Sequence, residues 1–318
     1  MKHLLTGCLI ALLITACQID SHVPTVITIQ KGSARVVDQT ASKAQPNNPA
    51  RSTSQSAPQA AEKGRVEASP VVPPPVPQIK PHVPSEDGAQ LALVIGNNEY
   101  EYRPLRNPTN DAKRIADVLI QKGFKVTLKT DLDYGEMKRT IRQFGQELAA
   151  TKGVGLFYFA GHGVQIKKNN YLVPINNNHI GDEIDVQNGA IRVDEIVQRM
   201  GQANNGLNIV VLDACRDNPF QAENFSRSLG RGLARTQIQA DGMLIAFATS
   251  PNKTASDGSG GQNGLYTQHL LKYMQMPGLK VEDMFKRVRQ AVKQASHNEQ
   301  VPWYNASLSG DFCFGGCQ

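Results

Sequence analysis

Aromatic residues are scarce in this chain, 6% of the whole with a single tryptophan, and residues 18 to 88 contain none. That stretch cannot build a core of its own, because too little apolar surface is present to offset the entropy of ordering it. Dense runs of charge are missing as well. The 34 Lys and Arg outnumber 28 Asp and Glu, for a formal charge of +6, but they are scattered. A nucleic-acid-binding patch is therefore not expected, and a solvated basic surface is. The apolar run from Leu4 to Ile14 is too short to stand permanently across a bilayer. No repeat is found along the chain. Gly161-His162-Gly163 lacks both the third glycine and the acidic residue of a dinucleotide-binding fingerprint, which sets that class aside. Cysteines number only five. The last two, Cys313 and Cys317, have no His or Cys at ligand spacing beside them, against a metal pair.

What is present begins with an export signal. Lys2 and His3 precede the apolar run, and Thr15, Ala16 and Cys17 follow it. Leu13-Ile14-Thr15-Ala16-Cys17 resembles the lipobox of bacterial lipoproteins, which implies a diacylglyceryl group on Cys17 and cleavage before it. The alternative is an ordinary secretory signal with an incidental cysteine. Gln18 in place of Asp implies sorting to the outer membrane, facing the periplasm. Residues 1–16 are then a lipoprotein signal peptide and 17–88 a stalk rich in Ser, Ala and Pro, with Val71 to Pro84 as an extended proline tract. A head at 89–314 and a short tail at 315–318 complete the chain. In an oxidising compartment Cys313 and Cys317 could close a small disulfide loop.

In the head, short β-rich apolar runs alternate with helical patterns. The fold class expected is α/β, a mostly parallel six-stranded sheet flanked by helices on both faces. Strands are predicted at Leu91 to Ile95, Lys125 to Lys129, Val154 to Phe159, Leu207 to Leu212 and Gly242 to Ala248, with a last short one within Tyr304 to Phe314. Helices are predicted at about Thr109 to Gly123, capped by Thr109 or Asn110, then at Tyr134 to Ala150, Val193 to Met200, Leu265 to Met274 and Val281 to Ala295. Gln165 to Ile175 reads as a polar hairpin.

Sites in open α/β sheets form beyond the carboxyl ends of strands. His162 and Cys215 each lie just past such an end. If the third and fourth strands are neighbours, imidazole and thiol share one crevice. A thiol of ordinary pKa, near ~8.5, is only a few per cent thiolate at neutral pH, and a histidine is the natural means of activating it. The glycines around His162 allow close approach of backbone to a substrate, and the amides of Gly163 and Cys215 are candidate oxyanion donors. Taken alone, a cysteine after a strand is more often a small buried hydrophobe.

The segments Tyr158-Phe159-Ala160-Gly161-His162-Gly163 and Leu212-Asp213-Ala214-Cys215-Arg216-Asp217-Asn218-Pro219-Phe220 resemble the histidine and cysteine motifs of bacterial caspase-like peptidases, relatives of metacaspases and caspases. The resemblance runs from Leu91-Ala92-Leu93-Val94-Ile95-Gly96-Asn97 through Ala246-Phe247-Ala248-Thr249-Ser250-Pro251 to Pro302-Trp303 and Gly310-Asp311-Phe312. It implies a caspase–haemoglobinase fold, a cysteine endopeptidase acting on protein or peptide substrates, Cys215 as nucleophile, and His162 as general base and then general acid. Asp111 and Asp213 match acidic positions of metacaspase pockets and imply a preference for Arg or Lys before the scissile bond. Each could instead be structural, Asp111 as the acid of a helix start. Pro108 and Ala160 depart from the Cys and Ser common at those positions. Asp194 and Glu195 resemble only part of the metacaspase calcium set, so calcium dependence is doubtful and no cofactor is expected. Between the motifs lie Arg227, Arg231 and Arg235, where an enzyme of basic specificity could cut itself. An inactive caspase-like scaffold, or an interaction lipoprotein, is the competing reading.

Overall fold

The computed structural model describes residues 88–215, 233, 241–250 and 263–317. The chain divides into two units, Met1–Pro73 and Pro74–Gln318, and every described residue belongs to the second. Its elements follow in order as β1 (Leu91–Gly96), α1 (Pro108–Gln121), β2 (Lys125–Thr130), α2 (Tyr134–Ala149), β3 (Val154–Ile166), β4 (Asn169–Leu172), α3 (Glu183–Gly189), β5 (Ile191–Arg192), α4 (Val193–Gln202), β6 (Leu207–Cys215), β7 (Met243–Phe247), α5 (Leu265–Met274), α6 (Val281–Ala295) and β8 (Trp303–Ser307).

The main sheet has the order β2-β1-β3-β6-β7-β8. The first five strands pair in parallel, and β8 closes the β7 edge antiparallel. This is the expected class, with the third and fourth strands of the sequence prediction, β3 and β6, side by side.

Both faces of the central strands are buried, and their side chains alternate between two cores. Ala92 and Val94 of β1, Leu156 and Tyr158 of β3 and Ile209 and Val211 of β6 face α1, α5 and α6. Leu93 and Ile95, Phe157 and Phe159, and Val210 and Leu212 face α2 and α4. At roughly 1.5–3 kcal/mol for each large apolar side chain withdrawn from water, these strands anchor the domain. A third, smaller core holds Tyr100, Val164, Ile166, Tyr171, Val173, Ile180 and Val186 beneath the β3–β4 hairpin and α3.

Three differences from the sequence prediction bear on the site. First, β3 does not stop at Gly161-His162-Gly163 but runs on to Ile166, where it turns back as β4 in the expected hairpin. Its far half is held by that new antiparallel pairing and by the third core. Second, α1 is capped neither by Thr109 nor by Asn110. It opens with Pro108 after Asn107, a position where proline's fixed φ and missing N–H cost nothing. The Thr109 N–H is taken by Asn98 Oδ1 at 2.8 Å, from the loop after β1. Third, α3 and β5 were not anticipated. α3 is seven residues long with Val186 as its main apolar anchor and Ile184 exposed, and it starts because Asp182 accepts the N–H groups of Ile184 and Asp185.

Candidate active site

The site lies where β1 and β6 end and β3 passes from the parallel sheet into its hairpin with β4. In the parallel register, Ala160 stands beside Asp213, Gly161 beside Ala214, and His162 beside Cys215, the last residue of β6. The two residues singled out from sequence are thus Cα partners on adjacent strands.

The loop between β1 and α1 is folded onto this end of the sheet. Asp131, at the end of β2, accepts the N–H groups of Asn98 at 2.7 Å and Glu99 at 3.0 Å. Asn98 Nδ2 donates to the Arg106 carbonyl at 3.0 Å. The loop so fixed delivers Tyr100 and Arg103 to His162. The Tyr100 ring packs on the imidazole with centroids 4.4 Å apart and planes tilted by 52°. Its hydroxyl accepts the His162 N–H at 2.8 Å and donates to the Val173 carbonyl at 3.2 Å, while the Val173 N–H donates to the His162 carbonyl at 3.0 Å. A phenolic oxygen therefore stands in for one rung of the β3–β4 ladder.

His162 is buried, and its Nε2 is 2.7 Å from the Arg103 carbonyl oxygen. A carbonyl can only accept, so Nε2 carries a proton, and in the neutral imidazole Nδ1 is the basic nitrogen. Arg103 has φ +57°, a left-handed backbone uncommon for a non-glycine residue. The carbonyl that orients the imidazole belongs to this turned-over residue.

The two glycines flanking His162 are closely surrounded. Gly161 has φ +155°, and a Cβ there would strike the Tyr100 hydroxyl and the Phe159 ring. A Cβ on Gly163 would come within 2.9 Å of the Ala214 Cβ. Each makes room for the protein's own packing. The Gly163 amide is nonetheless well directed. Because His162 and Val173 form a hydrogen-bonded pair, the next pair, Gly163 and Leu172, is of the other kind, and its N–H turns away from β4. It faces the edge along which β6 ends at Cys215.

Beside this, two carboxylates meet two phenols. Asp111 is buried in the first turn of α1, and its two oxygens receive the Gly264 N–H at 3.0 and 3.3 Å. Asp213 Oδ2 accepts the Thr267 hydroxyl at 2.7 Å, and the Tyr158 hydroxyl lies 2.7 Å from the same threonine oxygen. Burial, then the charges of Asp213 and Asp111, push the Tyr158 phenol well above its ordinary pKa. Tyr266 is pushed up by burial and by Asp213. Gly264 and Thr267, three residues apart at the start of α5, thus hold Asp111 and Asp213 in one neighbourhood although 102 residues (213 − 111) separate them in sequence.

The caspase-domain family matches residues 89–313. The chain belongs to that family. Human mucosa-associated lymphoid tissue lymphoma translocation protein 1 is 35% identical over 130 residues, which is 40% of this chain and 15% of that protein. Dog caspase-12 is 23% identical over 256 residues, 71% of this chain and 62% of the other. The chain thus spans less than two thirds of either relative. Among solved structures, caspase-1 from Spodoptera frugiperda superimposes with a TM-score of 0.56 at 17% identity, covering 78% of this chain and 99% of that one. A protein from Geobacter sulfurreducens gives 0.52 at 15% identity, over 70% and 95% of the two chains. These two likenesses carry the fold.

The remaining sequence candidates of this caspase-domain chain fall elsewhere. Cys313 and Cys317 are joined in a disulfide. Cys17, Arg227, Arg231 and Arg235 lie outside the described residues. Asp194 sits in the first turn of α4 with its carboxylate on Arg192, 2.9 Å from Nη2. Among the described residues no three His, Cys, Asp or Glu side chains converge as metal ligands, and no helix is long and apolar enough to cross a membrane.

Sequence reasoning missed Tyr100, Arg103 and Thr267. Arg103 acts through its backbone, which composition does not reveal. Tyr158 was read as a strand residue and as the first residue of the histidine motif, with no role for its hydroxyl. Its period-2 position, on the same face as Leu156, was the available signal that its hydroxyl reaches the α5 side of the sheet.

Proposed function

We propose that this chain is a cysteine endopeptidase that uses His162 and Cys215 and prefers Arg or Lys before the scissile bond. The observation that carries the reading is the pairing of His162 with Cys215 on adjacent strands, with the imidazole fixed by the Arg103 carbonyl so that Nδ1 is the basic nitrogen. His162 takes the Cys215 thiol proton, and the thiolate sulfur attacks the peptide carbonyl carbon. The oxyanion so formed is met by the Gly163 N–H, with the Cys215 N–H as second donor. Imidazolium then gives its proton to the departing amine, leaving a thioester. Water attacks that thioester while His162 takes its proton, and the thiol is restored as the carboxylic acid leaves.

Asp111 and Asp213 supply the charge for a guanidinium or ammonium group, supported by their both meeting the first turn of α5. Protein or peptide substrates suit a caspase domain. Cys17 as a lipidated N-terminus, residues 17–88 as a spacer and the periplasmic face of the outer membrane as location form the remainder of the proposal. Self-cleavage at Arg227, Arg231 or Arg235 belongs to it too.

The test is covalent trapping. Acyloxymethyl ketones ending in Arg, Lys or Asp, incubated with the reduced chain, should label Cys215 with the basic reagents and not with the acidic one, as read by peptide mass spectrometry. Absence of any label on a folded, reduced chain would favour the inactive scaffold.

A further inference from the structure

The first turn of α5 touches both pocket carboxylates. Gly264, which caps the helix, gives its N–H to Asp111, and Thr267, three residues on, gives its hydroxyl to Asp213. The second contact is unusual in its direction. A threonine inside a helix ordinarily turns its hydroxyl back to a carbonyl of the preceding turn, whereas Thr267, fully buried, donates outward across to the end of β6.

Asp213 Oδ2 is reached by two hydroxyls, Thr267 at 2.7 Å and Tyr158 at a longer 3.5 Å. A carboxylate only accepts, so the one Thr267 hydroxyl proton goes to Asp213 Oδ2 at 2.7 Å. The threonine oxygen then accepts from Tyr158, 2.7 Å away. The phenol keeps its proton because burial and the neighbouring carboxylates oppose its ionisation. Tyr158 thus bears on Asp213 through Thr267 and by its own longer contact, and the two hydroxyls form a relay rooted in the core and ending on a half-buried carboxylate.

We propose, on the strength of the acidic-pocket reading above, that Thr267 and Tyr158 are positioning residues for specificity: their hydroxyl relay fixes the Asp213 carboxylate for a guanidinium or ammonium group. Neither touches the reacting atoms. Their removal should weaken recognition of the basic side chain and leave the chemical step alone.

The test compares Thr267→Val, Thr267→Ser and Tyr158→Phe with the parent full-length chain. Two readouts are used: KM and kcat for peptides ending in Arg, and calorimetric binding of agmatine beside n-butylurea, a urea analogue that carries no charge. Thr267→Val should raise both KM and the agmatine Kd about tenfold, the size of one lost charge-assisted hydrogen bond, with kcat within about twofold of parent. Tyr158→Phe should raise both by about threefold, and Thr267→Ser should return both to within about threefold of parent. Because agmatine discrimination is a ratio taken on folded protein, partial unfolding of a variant does not mimic the result.

If Thr267→Val binds agmatine and turns over Arg peptides as the parent does, the relay has no positioning role, while the acidic pocket stands. If Thr267→Val lowers kcat with KM unmoved, the proposal is also overturned. If the parent itself binds agmatine no better than the urea analogue, the acidic-pocket reading falls and the relay with it.

Discussion

Tyr100 concentrates three tasks in one side chain. Its ring packs on His162, and its hydroxyl joins the His162 N–H to the Val173 carbonyl. Tyr100→Phe keeps the ring and deletes the bridge, leaving a buried N–H and a buried carbonyl without that oxygen. A loss of about 1–3 kcal/mol in urea unfolding is expected, together with a fall of about tenfold in kcat/KM as the imidazole loosens. Lost stability with kcat/KM unchanged would make Tyr100 purely structural. Gly161→Ala attacks the same contact from the other side. Its methyl would meet the Tyr100 hydroxyl at a backbone φ that other residues rarely adopt, so we expect a cost of about 1–3 kcal/mol. Equal melting temperatures for Gly161→Ala and parent would refute that packing role. At this scale the sequence was half legible. His162, Cys215, Asp111 and Asp213 stand out because their residue types carry chemistry. Arg103 does not, since its contribution is a carbonyl presented by an unusual φ, and any residue has a carbonyl.

Among the elements, β3 and β6 were readable because strands buried on both faces become continuous apolar runs, and α5 and α6 because their apolar positions repeat at helical spacing. The hairpin from Gln165 was read too, but not the continuation of β3 into it, because polar Gln165, Lys167, Lys168 and Asn169 break the apolar run and the pairing is held by a separate core and by Tyr100. The α1 cap was misplaced for a similar reason, as the acceptor Asn98 arrives from another segment and periodicity says nothing of it. A control belongs here. α2 begins with a capping box, Asp133 accepting the Glu136 N–H at 2.7 Å and Glu136 accepting the Asp133 N–H at 3.2 Å. Asp133→Ala should cost about 1 kcal/mol of stability. With the site held by β1, β3 and β6, kcat should not change. A drop in kcat at full folding would mean that α2 communicates with the crevice.

For the whole molecule, redox state and location meet in the cysteines. The Cys313–Cys317 bridge closes only a short loop beside Phe312 and Phe314, which pack with Phe124. Chain entropy gives such a loop about 2 kcal/mol. A Cys313→Ser, Cys317→Ser variant should melt several degrees lower, while keeping its kcat, since the pair lies by the start of α6 and the turn between α1 and β2, at the amino end of β2, whereas the site lies at the carboxyl ends of the parallel strands. Reductant should therefore have opposite effects, sparing the thiol of Cys215 and loosening the tail. The claim on which the functional account depends is nucleophilic cleavage after a basic residue. Its most direct test is hydrolysis of matched fluorogenic peptides ending in Arg, Lys or Asp by the reduced full-length chain, with and without calcium, beside Cys215→Ala. The account predicts cleavage after Arg or Lys, none after Asp, and loss of all cleavage in Cys215→Ala. Unchanged cleavage in that variant, or no cleavage of any peptide by the folded, reduced parent, would contradict it.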